Sequence, residues 1–342
     1  MTAPTKPPLG DLASLGDEDS VAPGNATAPD FFIVGHQKCG TTALYLMLSA
    51  HPQIFMPDVK EPWFFARELR PRSKHSGSRS RPDTLDVYLS LFAGATPGQL
   101  VGEASPQYIR SQTAAAQIAE LRPDARIIAV LREPASFLRS LHMQLVATHI
   151  EAETDLSRAI ALEPARRRGK RIPRRSISPP SLLYSDHVRY AEQLRRLHDA
   201  FGPEQVKVLI YDDFRSDNEA TVREVLGFLG VDATVPVQTV ETKPLKAVRS
   251  LRLHQLRRAI RHAGLHPTKG GRVVQAVDAL APRRLRSEAI AAKLRGAAYA
   301  KQRPPDDELM LRLRRRFKPE VVAASDYLGR DLVTLWGYDR IS

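Results

Sequence analysis

Cysteine is nearly absent. Cys39 is the single one among 342 residues, so no disulfide can close within the chain and a reducing compartment suits it. Aromatic residues are sparse, at 6% with two tryptophans, and neither a base-stacking RNA motif nor a zinc-finger spacing occurs. Acidic residues fall short of basic ones, 38 against 51, and the formal charge of +13 points to an anionic partner. Charge alone does not choose among nucleotide, nucleic acid, membrane surface and polyanionic acceptor. Runs of about 18 apolar residues are missing, as is a basic N-terminal segment leading into an apolar one. Neither a spanning helix nor export is therefore expected, and the chain reads as cytoplasmic. His262 and His266 have a metal-capable spacing, but no cysteine or carboxylate lies in register, so no metal is expected.

What is present suits one large α/β domain. Residues Met1 to Pro29 are rich in Pro, Gly, Ala, Asp and Ser without periodicity and are expected to form a disordered leader, followed by a single domain over 30–342. Apolar runs at Phe31–Val34, Ala125–Leu131 and Val206–Tyr211 read as buried strands, and Thr41–Ala50, Ala114–Leu121, Pro134–Ala147, Tyr190–Phe201 and Glu219–Leu229 read as helices. Gly230 closes the last of these as a C-cap. Alternation of this kind predicts a P-loop-like, three-layer α/β/α fold with a central parallel sheet, additional helices, and ligands outside the carboxyl ends of the strands. Basic insertions near 66–82, 164–180 and 248–303 interrupt it.

In Gly35-His36-Gln37-Lys38-Cys39-Gly40-Thr41-Thr42, glycines bracket a loop between strand and helix, so backbone N–H groups can converge on a phosphate. A nucleoside triphosphate loop places lysine directly after its second glycine. Thr41 holds that position here, and the lysine stands before the glycine at position 38. The bland alternative is a plain connection with a solvated lysine. Further on, Arg132 ends a predicted strand and Ser140 lies eight residues beyond it, two turns into a helix, so a guanidinium fork and a hydroxyl can close on one phosphate. An ion pair of Arg132 with neighbouring Glu133 is the competing reading.

Lys-x-Gly-Thr-Thr after an apolar strand, with arginine and serine eight apart after a later one, resembles the PAPS-dependent sulfotransferases, PAPS being 3′-phosphoadenosine-5′-phosphosulfate. The resemblance covers roughly Phe31 to Trp336, is sparse through Val248–Ala300, and points to the bacterial and glycan- or heparan-type branch. It implies that Lys38, Cys39, Gly40, Thr41 and Thr42 surround the 5′-phosphosulfate, with Cys39 as loop packing, and that Arg132 and Ser140 bind the 3′-phosphate. Lys301 and Arg303 fall where the family has a basic loop over that phosphate. Lys60-Glu61-Pro62-Trp63-Phe64-Phe65 resembles a segment whose glutamate is the catalytic base, which implies Glu61 as base and Lys38 as its catalytic partner at the leaving group. Trp63 and Phe64 would then stack on the acceptor; alternatively, Glu61 pairs with Lys60 and the aromatics are core. A histidine of many relatives is replaced by Trp63, and a lysine of some glycan-modifying ones by Ala104, which affects the acceptor class more than the chemistry.

The implied reaction moves a sulfuryl group from PAPS to a hydroxyl or amine of a carbohydrate, lipid-linked sugar or small molecule, leaving PAP, without a metal. A P-loop nucleotide kinase and a basic nucleic-acid-binding protein are the alternatives. No specific nucleic acid partner is expected. Arg166–Arg175 reads by default as a solvated loop, with contact to an anionic acceptor or to acidic lipid at a membrane periphery as its other readings. Oligomeric state is not legible.

Overall fold

The computed structural model describes residues 28–71, 81–174, 176–238, 247–248, 299–300 and 306–341. Its strands are β1 (Phe31–Gly35), β2 (Ile54–Phe55), β3 (Leu100–Ala104), β4 (Arg126–Leu131) and β5 (Val206–Ile210), hydrogen-bonded in the order β2-β3-β1-β4-β5. β1 runs parallel to both β3 and β4, and β2 parallel to β3. Every residue of β1 is buried, as expected for a central strand covered on both faces. The chain leaves β1 first toward β3 and later toward β4, so the order reverses at β1, the place where open α/β sheets take ligands.

The helices that bear on the site follow in order: α1 (Thr41–Ser49), α2 (Leu85–Leu89), α3 (Ala114–Leu121), α4 (Pro134–Ala147), α5 (Leu156–Ala161), α6 (Glu163–Arg167), α7 (Tyr190–Ala200), α8 (Tyr211–Ser216), α9 (Asn218–Leu229), α10 (Asp307–Leu328) and α11 (Leu332–Leu335). α4 opens on Pro134, whose missing N–H costs nothing at a first turn, and buries one face from Ala135 through Val146. Gly230 caps α9 in the left-handed conformation, as its position after Leu229 predicts. Tyr211 begins α8 rather than ending β5. Ala247–Val248 pairs antiparallel with Tyr299–Ala300; the rest of the 248–303 insertion lies outside the described residues, as does the leader up to residue 27.

The described residues form two compact units. The first holds β1 through Gly35, Thr41–Val130 and the stretch from Arg196, and so contains almost the whole sheet. The second holds His36–Gly40, Leu131–Arg195 and the C-terminal helices. No helix among the described residues is long and apolar enough to cross a membrane.

One expectation needs correction in the second unit. The segment from Arg166 is not simply solvated, because Arg166 closes α6 with its guanidinium buried against Glu151, at 2.8 and 2.9 Å. Tyr184 donates to the same carboxylate at 3.0 Å, and the amides of Ala152 and Glu153 donate at 2.8 and 2.9 Å. Only beyond this anchor do Arg168, Lys170, Arg171 and Arg174 stand exposed.

Candidate active site

Gly35 ends β1 with φ +132°, and a Cβ there would lie 2.5 Å from the carbonyl oxygen of Val130. Only glycine lets the strand end this close to β4 and turn into the loop. Lys38 then takes φ +67° and Gly40 φ +83°. A left-handed lysine costs on the order of 1 to 3 kcal/mol and persists only where its surroundings hold it. Part of that hold is visible: Arg132, at the end of β4, donates from Nη1 to the Lys38 carbonyl at 2.8 Å, and Tyr190 donates its hydroxyl to the Arg132 carbonyl at 2.8 Å. His36 is buried with its ring 4.9 Å from Phe137 and 5.0 Å from Tyr190. Cys39 is fully buried, with Sγ 3.7 Å from the Gln37 carbonyl, which suits packing. Thr41, buried, and Thr42, exposed, open α1 directly after Gly40.

Glu133, the ion-pair partner that sequence proximity offers Arg132, is engaged elsewhere. Its carboxylate caps α4 by accepting from the amides of Ala135 and Ser136 at 3.1 and 2.6 Å. It also accepts from the Tyr338 hydroxyl at 2.6 Å and lies 3.5 Å from Arg314 Nε. Arg139 and Ser140 follow half-buried on α4. Burial lowers the Lys38 pKa, and the Arg132 charge lowers it further; Arg139 is lowered by the same two causes in the same order. Arg132 thus sits in the field of both Lys38 and Arg139 within the second unit. A multiply charged anion relieves that repulsion, so the residues present fit a bis-phosphorylated nucleotide. Arg139 was not singled out from the sequence, since one more arginine on a helix carries no signal alone. Lys301 and Arg303 lie outside the described residues.

The first unit carries the second element, the turn Lys60–Phe65. Glu61 and Trp63 both have φ +61°, so this turn, like the Lys38 loop, stores backbone strain in residues other than glycine. Glu61 is half-exposed and paired with Lys60. Trp63 and Phe64 are buried, and Phe64 stacks on Tyr88 with centroids 4.5 Å apart and planes within 10°. Phe64 thus spends one face on Tyr88, which leaves that face no room for an acceptor.

Sequence reasoning missed Glu103 at the end of β3. Its carboxyl is completely buried and accepts from the hydroxyls of Tyr108 at 2.7 Å and Tyr88 at 3.1 Å. Burial pushes its pKa up from 4.5 to about 7, against the opposing effects of hydrogen bonds from Ser105, Tyr108 and Tyr88 and of the Lys60 charge. A charged residue type inside an otherwise apolar strand was the available signal. Because the folded pKa lies above the unfolded one, this group's contribution to stability is fully present below about pH 4.5 and is lost as pH rises through about 7. The span of about 2.5 units corresponds to roughly 3 kcal/mol. Glu103→Gln is therefore expected to gain stability relative to the parent between pH 5 and pH 8. Urea melts at both pH values check this, and an unchanged difference refutes it.

With this geometry in view, the chain was compared with known proteins. Residues 28–280 match the family described as the sulfotransferase domain. The chain is 29% identical over 210 residues to human bifunctional heparan sulfate N-deacetylase/N-sulfotransferase 3, covering 59% of this chain and 22% of that protein. It is 33% identical over 127 residues to mouse heparan sulfate glucosamine 3-O-sulfotransferase 3A1, covering 37% and 28%. The match thus spans about a quarter of the length of these curated relatives. Among solved structures, a sulfotransferase from Alicyclobacillus acidocaldarius is 28% identical with a TM-score of 0.61, over 91% of this chain and 99% of that one. The P-loop-like α/β fold and the family read from the Lys-x-Gly-Thr-Thr loop agree with these matches, and the chain belongs to the sulfotransferase domain family.

Proposed function

We propose that this protein transfers a sulfuryl group from PAPS to a hydroxyl or amine of a carbohydrate or small-molecule acceptor. The observation that carries the reading is the left-handed Lys38 locked to Arg132 through its carbonyl, with both charges held in one field despite their repulsion. Lys38 and the loop amides hold the 5′ end of the donor, and Arg132, Arg139 and Ser140 hold its 3′-phosphate. The acceptor oxygen or nitrogen forms a bond to sulfur as the bond from sulfur to the bridging phosphate oxygen breaks. Glu61 takes the acceptor proton, and Lys38 stabilises the charge that grows on the departing phosphate of PAP. The heparan sulfate in the names of both relatives, and the glucosamine in that of one, favour an amino-sugar glycan as acceptor.

PAP is expected to raise the melting temperature in moderate salt, and ATP with Mg²⁺ to leave it unchanged; the reverse pattern sinks this reading in favour of a kinase. Glu61→Gln should keep PAP affinity within about twofold and slow transfer by roughly 10²- to 10⁴-fold, the usual contribution of a positioned base. Incorporation of label from [³⁵S]PAPS into glucosamine oligosaccharides measures it, and normal turnover removes Glu61 as base.

A further inference from the structure

Two of the three residues of the segment Trp63-Phe64-Phe65 rest on a side chain that is itself bound to Glu103. Trp63 donates its amide to the Ser105 hydroxyl at 3.4 Å, and Phe65 donates its amide to the Tyr108 hydroxyl at 3.5 Å. Between them Phe64 stacks on Tyr88. Tyr108 and Tyr88 both donate to one oxygen of the Glu103 carboxyl, Oε2. Just upstream, the Glu61 amide donates to the carbonyl of Ala104, next to Glu103 in the strand, at 3.1 Å.

We propose that Glu103 is a positioning residue for the transfer step, holding through Tyr108 and Tyr88 the turn on which Glu61 stands. This rests on Glu61 acting as the base. The physical reason is directional. A hydroxyl has one proton, and a buried carboxyl acceptor draws it, so the lone pairs of Tyr108 face the amide of Phe65, beside the bond from the Trp63 amide to Ser105. Those amide bonds are long, and they act on a turn with two left-handed residues other than glycine, which relaxes when its anchors turn away. Glu103→Gln puts a neutral amide oxygen, a weaker acceptor, where the two phenol protons meet Oε2. A phenol proton that leaves it and turns toward the loop meets an amide N–H instead of letting the oxygen accept from it. Lys60, which pairs with Glu61 and sits in the field of Glu103, joins the two carboxylates electrostatically.

The test uses the full chain labelled with 5-fluorotryptophan, whose two ¹⁹F resonances report Trp63 and Trp336 and are assigned with Trp336→Phe. In Glu103→Gln, and independently in Tyr108→Phe, the Trp63 resonance is expected to shift and broaden while that of Trp336 stays. PAP affinity should remain within twofold, and kcat for [³⁵S]PAPS with glucosamine oligosaccharides should fall at least tenfold. A Trp63 resonance unmoved in both variants overturns the proposal, as does a kcat within twofold of the parent. A loss of PAP affinity in proportion to the loss of kcat also overturns it, since that marks general unfolding. If Glu61→Gln turns over normally while Glu103→Gln still displaces Trp63, the hold on the turn is supported and the base assignment alone fails.

Discussion

Arg132→Ala is expected to weaken PAP binding about 100-fold and to lower kcat/KM by roughly 10²- to 10³-fold, the range for losing a charge-assisted donor to a desolvated anion. Two losses combine. The guanidinium no longer meets the nucleotide, and the Lys38 carbonyl loses the donor that pins its left-handed backbone. Arg132→Lys should recover only part of the affinity, because an ammonium keeps the charge but cannot reach a phosphate and the carbonyl as a planar fork does. Lys38→Ala should separate from both, with turnover falling further than PAP affinity, since the charge it meets grows as the bond to sulfur breaks. Titration calorimetry with PAP and initial rates check all three. An Arg132→Ala protein that binds PAP within twofold of the parent removes the pocket proposed above.

Arg166→Met is expected to destabilise the fold by about 3 to 5 kcal/mol, because it leaves the buried Glu151 carboxylate without its counter-charge. The pair is almost completely buried, at 2% and 0% side-chain exposure, and the remaining donors on Glu151 are neutral. Replacing both partners, as in Glu151→Leu with Arg166→Met, should recover most of the loss, as apolar replacements of buried ion pairs commonly do. Denaturant melts of the single and double variants form the check, and a single variant within about 1 kcal/mol of the parent refutes it. The exposed Arg168, Lys170 and Arg171 should tolerate neutral substitution, which distinguishes anchor from arm.

The two arginines mark how far sequence reading reaches and where it stops. Arg132 was legible because it stands at a strand end with Ser140 at a set distance, and strand and helix are fixed by local periodicity. Arg166 was not, because its partner Glu151 is fifteen residues away and the bond exists only after α5 and α6 pack. In the same way, Glu133 is adjacent to Arg132 in sequence, yet its strong contact is Tyr338, 205 residues on. The turn at Glu61 was recognised by its resemblance to relatives, but the burial of Trp63 and Phe64 depends on Tyr88 and the end of β3.

By itself, the sequence determined the main strands and helices, the loop that departs from a triphosphate-binding one, and Lys38 and Arg132 as candidates, because each depends on short-range backbone geometry and residue spacing. Tertiary structure alone decided which charges answer one another. Burial removes water from Glu103, Lys38 and the Glu151–Arg166 pair, and once water is gone, neighbours brought from distant parts of the chain set whether a group is charged, where its protons point and what it can hold.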